Sequence, residues 1–308
     1  MDTAIAPKTV IDCYSFLDAF ASCGVYDYTE GKYNGDPAVS YEQAQANQAE
    51  YLLDQAGCGQ GSKLLDIGCG NGRILEAAKG RGASAIGITI SPEQAMKNNA
   101  KGLETVLLNY KDIPESWDGR FDCIIANGSI EHFVQIEDVL AGRQSKIYSE
   151  MFAVMDRILK PNGRAVTTVI HLRLSVDPRE VARGPGAFRR GTALFHSAQL
   201  TRDLGGWYPA KDELIGCVRP YFRLVRREDG TDDYRRTSED WMRAWKRIIL
   251  TNPRSWIIFA GKLIRHPRHT IGFLDDLLVS KSWATQFWDW QGQGTPTYLF
   301  RDTWEKLS

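Results

Sequence analysis

An α/β fold on a mostly parallel sheet, with a helical lid before it and a helical cap after it, is predicted by three observations. Between Lys63 and about Arg173, short apolar runs alternate with segments of helical spacing, the pattern of parallel strands joined by right-handed crossovers. The first run ends in a glycine-rich turn that leads straight into a helical pattern. Outside this region the spacing is mainly helical. The chain of 308 residues thus divides into an N-terminal helical lid (1–60), a sheet core (61–175) and a helical cap with the final strand or strands (176–308).

In order along the chain, VIDCYSFLDAFA (10–21) and YEQAQANQAEYLLDQAG (41–57) carry apolar residues at helical spacing. The Gly-, Asp- and Pro-rich stretch between them, 25–40, reads as a long loop. The strand runs are KLLDIG, SAIGITI, TVLLN, FDCIIAN and RAVTTVIHL. After Leu174 a basic segment broken by Gly and Pro gives way to Trp- and Ile-rich helical patterns. The closing TPTYLFRDTWEKLS returns to strand-like alternation and reads as a last strand.

Composition narrows the function. Lys plus Arg equals Asp plus Glu at 38 each, so overall charge does not point to nucleic acid. The six cysteines are scattered without metal-ligand spacing, which fits a reduced, intracellular protein without structural zinc. The N-terminus does not read as a secretory signal, and no stretch has the ~20 apolar residues of a membrane span. The expectation is a cytoplasmic protein.

The turn GCGNG places glycines at 68, 70 and 72. A dinucleotide fold prefers G-x-G-x-x-G beside a pyrophosphate, and a phosphate loop ends in Gly-Lys-Ser/Thr; neither fits. Asp66, just before the turn, adds negative charge where an anion would sit, and suits a cationic ligand with an amino group. Glycine lets the backbone approach that ligand closely. S-adenosyl-L-methionine, with a sulfonium, an ammonium and no phosphate, satisfies these demands.

LLDIGCGNGRI followed by AIGITISPEQ, then GSIEHF, then the stretch from GGWYPAKDEL to SEDWMRAW, resembles the class I methyltransferases, within them the cyclopropane fatty acid synthase and mycolic acid methyltransferase branch. The resemblance runs from about residue 24 to 308. It implies a Rossmann-like sheet of seven strands and S-adenosyl-L-methionine as cofactor. It places Tyr41 over the methionine end and Gly68, Gly70 and Gly72 beneath the cofactor. Thr89, Ile90 and Gln94 would hold the ribose, and Tyr110, Lys111 and Asn127 would surround the adenine. Singly, Tyr110 reads equally as core and Gln94 as a first-turn helix residue.

The family forms cyclopropanes with a bicarbonate bound by a Cys, a Glu, a His and a Tyr, and here the pattern departs. Glu131 stands at the Glu position. The Cys-bearing segment reads VSYEQ, with Glu42 or Gln43 in place of Cys. The His position falls on Thr167 or Thr168, with His171 three residues later, and the Tyr position falls near Thr295, with Tyr298 close by. His132 reads as a helix cap or a second catalytic group. Glu131 is the residue best suited to stabilise a cation or take a proton. The implied function is methyl transfer to a carbon of an unsaturated lipid, isoprenoid-like or other small apolar acceptor. Cyclopropane-forming synthesis on phospholipid acyl chains is the alternative. A small-molecule N-, O- or S-methyltransferase and a non-catalytic cofactor-binding partner stand behind it.

In the cap, residues 242–270 hold seven Lys or Arg and no acid, interleaved with Trp245, Trp256 and Phe259. Such a stretch fits an anionic membrane surface or a solvated helix face. Arg179, Arg183, Arg189 and Arg190 fit a phosphate clamp or a surface loop, and Trp283, Phe287, Trp288 and Trp290 an acceptor wall or ordinary core.

Overall fold

The computed structural model describes residues 8–18, 23–24, 27–288, 292 and 294–307. Trp290 and the end of the first expected helix lie outside the described residues. The lid contains α1 (Lys8–Asp18) and α2 (Tyr41–Ala56), the latter capped by Ser40, whose hydroxyl accepts from Gln43 N at 3.2 Å. The core runs β1 (Lys63–Ile67), α3 (Arg73–Gly80), β2 (Ser84–Thr89), α4 (Pro92–Ala100), β3 (Thr105–Leu107), β4 (Phe121–Asn127), α5 (Ile136–Leu140), α6 (Gln144–Ile158) and β5 (Leu159–Leu172). The remainder is α7 (Pro178–Val181), α8 (Ala193–Leu204), α9 (Glu213–Val218), β6 (Phe222–Asp229), α10 (Thr231–Thr251), α11 (Pro253–Arg265), α12 (Pro267–Asp275), α13 (Ser282–Thr285) and β7 (Thr297–Lys306).

The seven strands take the order β3-β2-β1-β4-β5-β7-β6. The first five are parallel, and β7 lies antiparallel between β5 and β6. The final strand is thus an interior strand, and its TYLFRD run is almost wholly buried. At the edge, β6 escaped the strand reading because RLVRRED is polar and mostly uncovered.

Two apolar layers sandwich the sheet. Leu65, Ile124, Val169 and Trp304 pack beneath Met151, Phe152 and Met155 of α6, while Leu64, Ile125 and Val166 meet Leu52 and Leu53 of α2 and Ile74 of α3. A separate cluster joins Phe16 and Leu17 of α1 to Trp241 and Trp245 of α10 and to Leu277. The chain winds outward from β1 to β3, then crosses back to β4. That reversal leaves a crevice beyond the carboxyl ends of β1 and β4, where open α/β sheets bind ligands.

Candidate functional site

A cavity of about 420 Å³ fills this crevice and extends beneath α1 and α10, a size suited to a small organic ligand. One end is built from strand ends. After β1 the backbone turns at Gly68 and Gly70, with φ of 80° and 51°. A Cβ on Gly68 would strike the Ser129 side chain at 2.5 Å, and Ser129 Oγ closes the turn by donating to Ile67 O at 2.7 Å. A Cβ on Gly70 would meet no protein atom within 4 Å, so glycine there keeps open the space that a ligand would take.

Asp66 is 1% exposed, and its Oδ2 is buried without a hydrogen-bond partner among the described residues. Burial pushes its carboxyl up to about 7. An orphaned acid facing a cavity is complementary to a cation. At the end of β2, Thr89 donates its hydroxyl proton to Gln94 Oε1 at 2.7 Å, and Ile90 lines the wall beside them. Tyr110 stacks on Phe133 with ring centroids 4.3 Å apart, Lys111 reaches over the Tyr110 ring at 5.8 Å, and Asn127 is fixed by Gln48, whose Nε2 donates to its Oδ1 at 3.1 Å.

Glu131 stands in the single turn after β4, 3% exposed. Its Oε1 accepts from Ile170 N at 2.7 Å, while Oε2 is buried with no partner among the described residues. Burial first, and the charge of Glu30 second, raise its carboxyl to about 8. Glu30 is itself raised to about 7 by burial, with its own backbone hydrogen bonding, the Arg301 charge and the Asn127 side chain pulling the other way. His132 Nε2 lies 2.9 Å from the Tyr14 hydroxyl, and burial lowers its ring to about 4, so it is neutral at pH 7.

Beyond these carboxylates the cavity turns apolar, walled by Ile170, Tyr208, Tyr234, Trp241 and Trp283. Cys13 of α1 also lines it, its thiol raised to about 12 chiefly by burial, whereas Cys69 of the glycine turn packs its sulfur with Leu75 and Leu103, where it accepts from Asn98 Nδ2 at 3.8 Å.

Of the residues expected from the sequence, Asp66, Gly68, Gly70, Thr89, Ile90, Gln94, Tyr110, Lys111, Asn127, Glu131 and His132 line this one cavity. Four do not. Gly72 faces Leu103 and Asn98 instead, where a Cβ would lie 2.7 Å from Leu103 Cδ1. Tyr41 stands behind the wall, its hydroxyl donating to Asp27 O at 3.5 Å, and Tyr28 lines the cavity in its place. His171 follows Ile170 on β5, and successive strand side chains point to opposite faces. Its Nδ1 therefore donates to Ala210 O at 3.1 Å on the far side of the sheet. Tyr298 pairs with it across the strands and stacks on Phe300 at 5.1 Å. Glu42 and Gln43 are exposed on α2. Asp27-Tyr28-Thr29-Glu30, rather than VSYEQ, is the segment that enters the site, and Glu30 is its acidic member. The sequence reading passed over it because a loop has no periodicity to mark which side chains turn inward. The cap arginines sit on the surface, with Arg183 paired to Glu180 at 2.5 Å and Arg190 to Asp275 at 2.7 Å.

Residues 15–248 match the family model described as mycolic acid cyclopropane synthetase. The chain belongs to that family. It is 35% identical over 165 residues to a probable fatty acid methyltransferase of Pseudomonas putida, a match covering 51% of this chain and 39% of the relative. The chain thus spans well under half the length of that protein. The fold is that of the cyclopropane synthase MmaA2 from Mycobacterium tuberculosis, with a TM-score of 0.75 and 19% identity over 99% of this chain and 100% of the other. The mycolic acid cyclopropane synthase CmaA1, solved with SAH and CTAB, superposes with a TM-score of 0.70 and 18% identity over 97% of this chain and 98% of the other.

Proposed function

We propose that this chain is an S-adenosylmethionine-dependent methyltransferase acting on a carbon of an unsaturated lipid or isoprenoid-like acceptor. One observation carries the reading: an acid-lined glycine turn faces an aromatic chamber within one cavity, with buried carboxylates between them. When bound, the cofactor supplies an electrophilic methyl group on a sulfonium. Asp66 and the turn at Gly68 and Gly70 would hold its methionine end, Thr89 and Gln94 its ribose, and the Tyr110–Phe133 stack with Lys111 its base. The apolar walls would align the acceptor and exclude water, and alignment is the largest help that methyl transfer needs. The unpaired Glu131 oxygen stabilises positive charge on the acceptor.

The carboxylates favour carbon over nitrogen, oxygen or sulfur, because only an alkene acceptor passes through a carbon cation that must then lose a proton. A cyclopropane product uses the same groups and differs only in which C–H bond breaks. The acceptor chemistry of the family relatives, fatty acid and cyclopropane synthesis, agrees with either outcome.

Calorimetry tests the cofactor: Gly70→Val places a side chain in the ligand space on a left-handed backbone and is expected to abolish S-adenosylmethionine binding with the fold intact. Lipid extract incubated with methyl-labelled cofactor tests the acceptor, with label expected in the organic phase. Label confined to polar products would refute a lipid acceptor.

A further inference from the structure

The loop between α1 and α2 holds a buried acid that belongs to no helix or strand. Glu30 is 4% exposed, and its place is fixed from several sides. Thr29 O accepts from Gln45 Nε2 of α2 at 3.1 Å. Gly31 donates its N–H to Thr237 Oγ1 of α10 at 2.9 Å, and its carbonyl accepts from Arg301 Nη2 of β7 at 3.1 Å. Gly31 has no room for a side chain, since a Cβ would lie 2.8 Å from that of Ala44. On the other side Gly128 leaves the carboxylate its seat: a Cβ there would stand 2.6 Å from Glu30 Oε1. Burial opposes the charge of this side chain, yet the surrounding structure holds it in the cavity that Glu131 also faces.

We propose that Glu30 and Glu131 form a proton-sharing catalytic pair in which Glu30 is the base that deprotonates the methylated acceptor. The inference rests on the methyltransferase reading above. Two buried carboxylates facing one cavity resist ionising together, so the proposed pair holds one negative charge and one proton. In the step itself the alkene π pair forms the new carbon–carbon bond, and the carbon–sulfur pair returns to sulfur as a neutral thioether. The acceptor is then a carbon cation. Glu30 takes a proton from an adjacent C–H bond, whose electron pair closes a double bond or a three-membered ring, and the proton leaves to water with the product. The groups that face Glu30 are Glu131 after β4, Arg301 of β7, Asp27 of its own loop, Tyr14 of α1, Tyr41 of α2 and Tyr234 of α10. Titration of both acids close to neutrality suits a group that must accept a proton and later give it up.

Proton counting tests the pair without an acceptor. The full chain is titrated calorimetrically at pH 7 with S-adenosylmethionine and with S-adenosylhomocysteine, in buffers of different ionisation enthalpy. A sulfonium arriving beside a shared proton expels part of it; the neutral thioether does so much less. Asp66 is expected to release a proton alike with both ligands; Glu30→Gln and Glu131→Gln are expected to bind the cofactor with the excess release for the sulfonium abolished, and Glu30→Asp to retain it. Release unchanged in Glu30→Gln, or equal for the two ligands, overturns the pair. Failure of the unaltered chain to bind S-adenosylmethionine overturns the cofactor reading instead. In turnover with labelled cofactor and lipid extract, Glu30→Gln is expected to slow transfer about 100-fold or more. Added formate should restore part of the rate in Glu30→Ala, and absence of any rescue would reduce Glu30 to a positioning residue.

Discussion

Glu131 has a carboxylate oxygen buried without a donor among the described residues, and that has a measurable cost. Its folded value of about 8 lies above the ordinary 4.5, so between those values the native chain keeps a proton that the unfolded chain has shed. Stability therefore falls as pH rises through this window. His132, lowered from 6.5 to about 4, acts oppositely, but its effect is complete above pH 6.5. Urea unfolding at pH 5 and pH 8.5 should accordingly show Glu131→Gln gaining on the parent at the higher pH, by on the order of 2–4 kcal/mol. A constant difference between the two would mean that the carboxyl is ionised in the folded state. Asp66 was legible in the sequence because the glycine turn marked its place. Glu30 was not, because its burial depends on partners from α2, α10 and β7.

At the scale of elements, α11 presents apolar side chains that no described residue covers. Ile257 and Ile264 are 75% and 83% exposed, and Trp256 of α11, Leu250 at the end of α10 and Ile271 of α12 are exposed too. Arg254, Arg265 and Arg268 are exposed around them. No helix among the described residues is long and apolar enough to cross a membrane. The basic stretch read as either a membrane-facing helix or a solvated one divides accordingly. In α10, Trp245 is buried; in α11, Ile258 and Phe259 pack on the same cluster while Trp256, Ile257, Leu263 and Ile264 are exposed, a division that fits a helix lying in an anionic lipid surface. Sedimentation with vesicles should find the chain on phosphatidylglycerol and much less on phosphatidylcholine. Ile257→Asp with Ile264→Asp should weaken that binding by at least about tenfold, since each isoleucine contributes roughly 1–2 kcal/mol when buried in lipid. Equal binding to both vesicles would assign the patch to something other than a charged lipid surface.

Across the whole molecule, Arg301 ties α2, α10 and the loop at Gly31 to the sheet. Its side chain is fully buried; Nε donates to Gln48 Oε1 at 2.7 Å, Nη1 to Asp233 Oδ2 at 2.9 Å, and Nη2 to the Gly31 carbonyl. Arg301→Met strands these acceptors and should cost about 3–5 kcal/mol in urea unfolding, with weaker cofactor binding as the Glu30 loop loosens. A loss below 1 kcal/mol would show that water replaces the guanidinium. Such long-range ties are what the sequence does not display. The parallel strands were legible from LLDI and CIIA because a strand covered on both faces is apolar throughout. Polar edge strand β6 was not, and His171 turns away from the cavity because its strand neighbour Ile170 takes the inward face. Tyr28 and Glu30 entered the cavity in place of Tyr41 and Glu42 for the same reason: fold-wide contacts, not local spacing, decide which way a loop side chain turns.

Cys13 shares the cavity walls with the place proposed for a reactive methyl donor, while the Cys69 sulfur turns away toward Asn98. Alkylation requires the thiolate, and burial holds the Cys13 sulfur protonated. Were an alkylating cofactor to bind as proposed, that sulfur would be spared, and self-inactivation suppressed without removing cysteine from the lining.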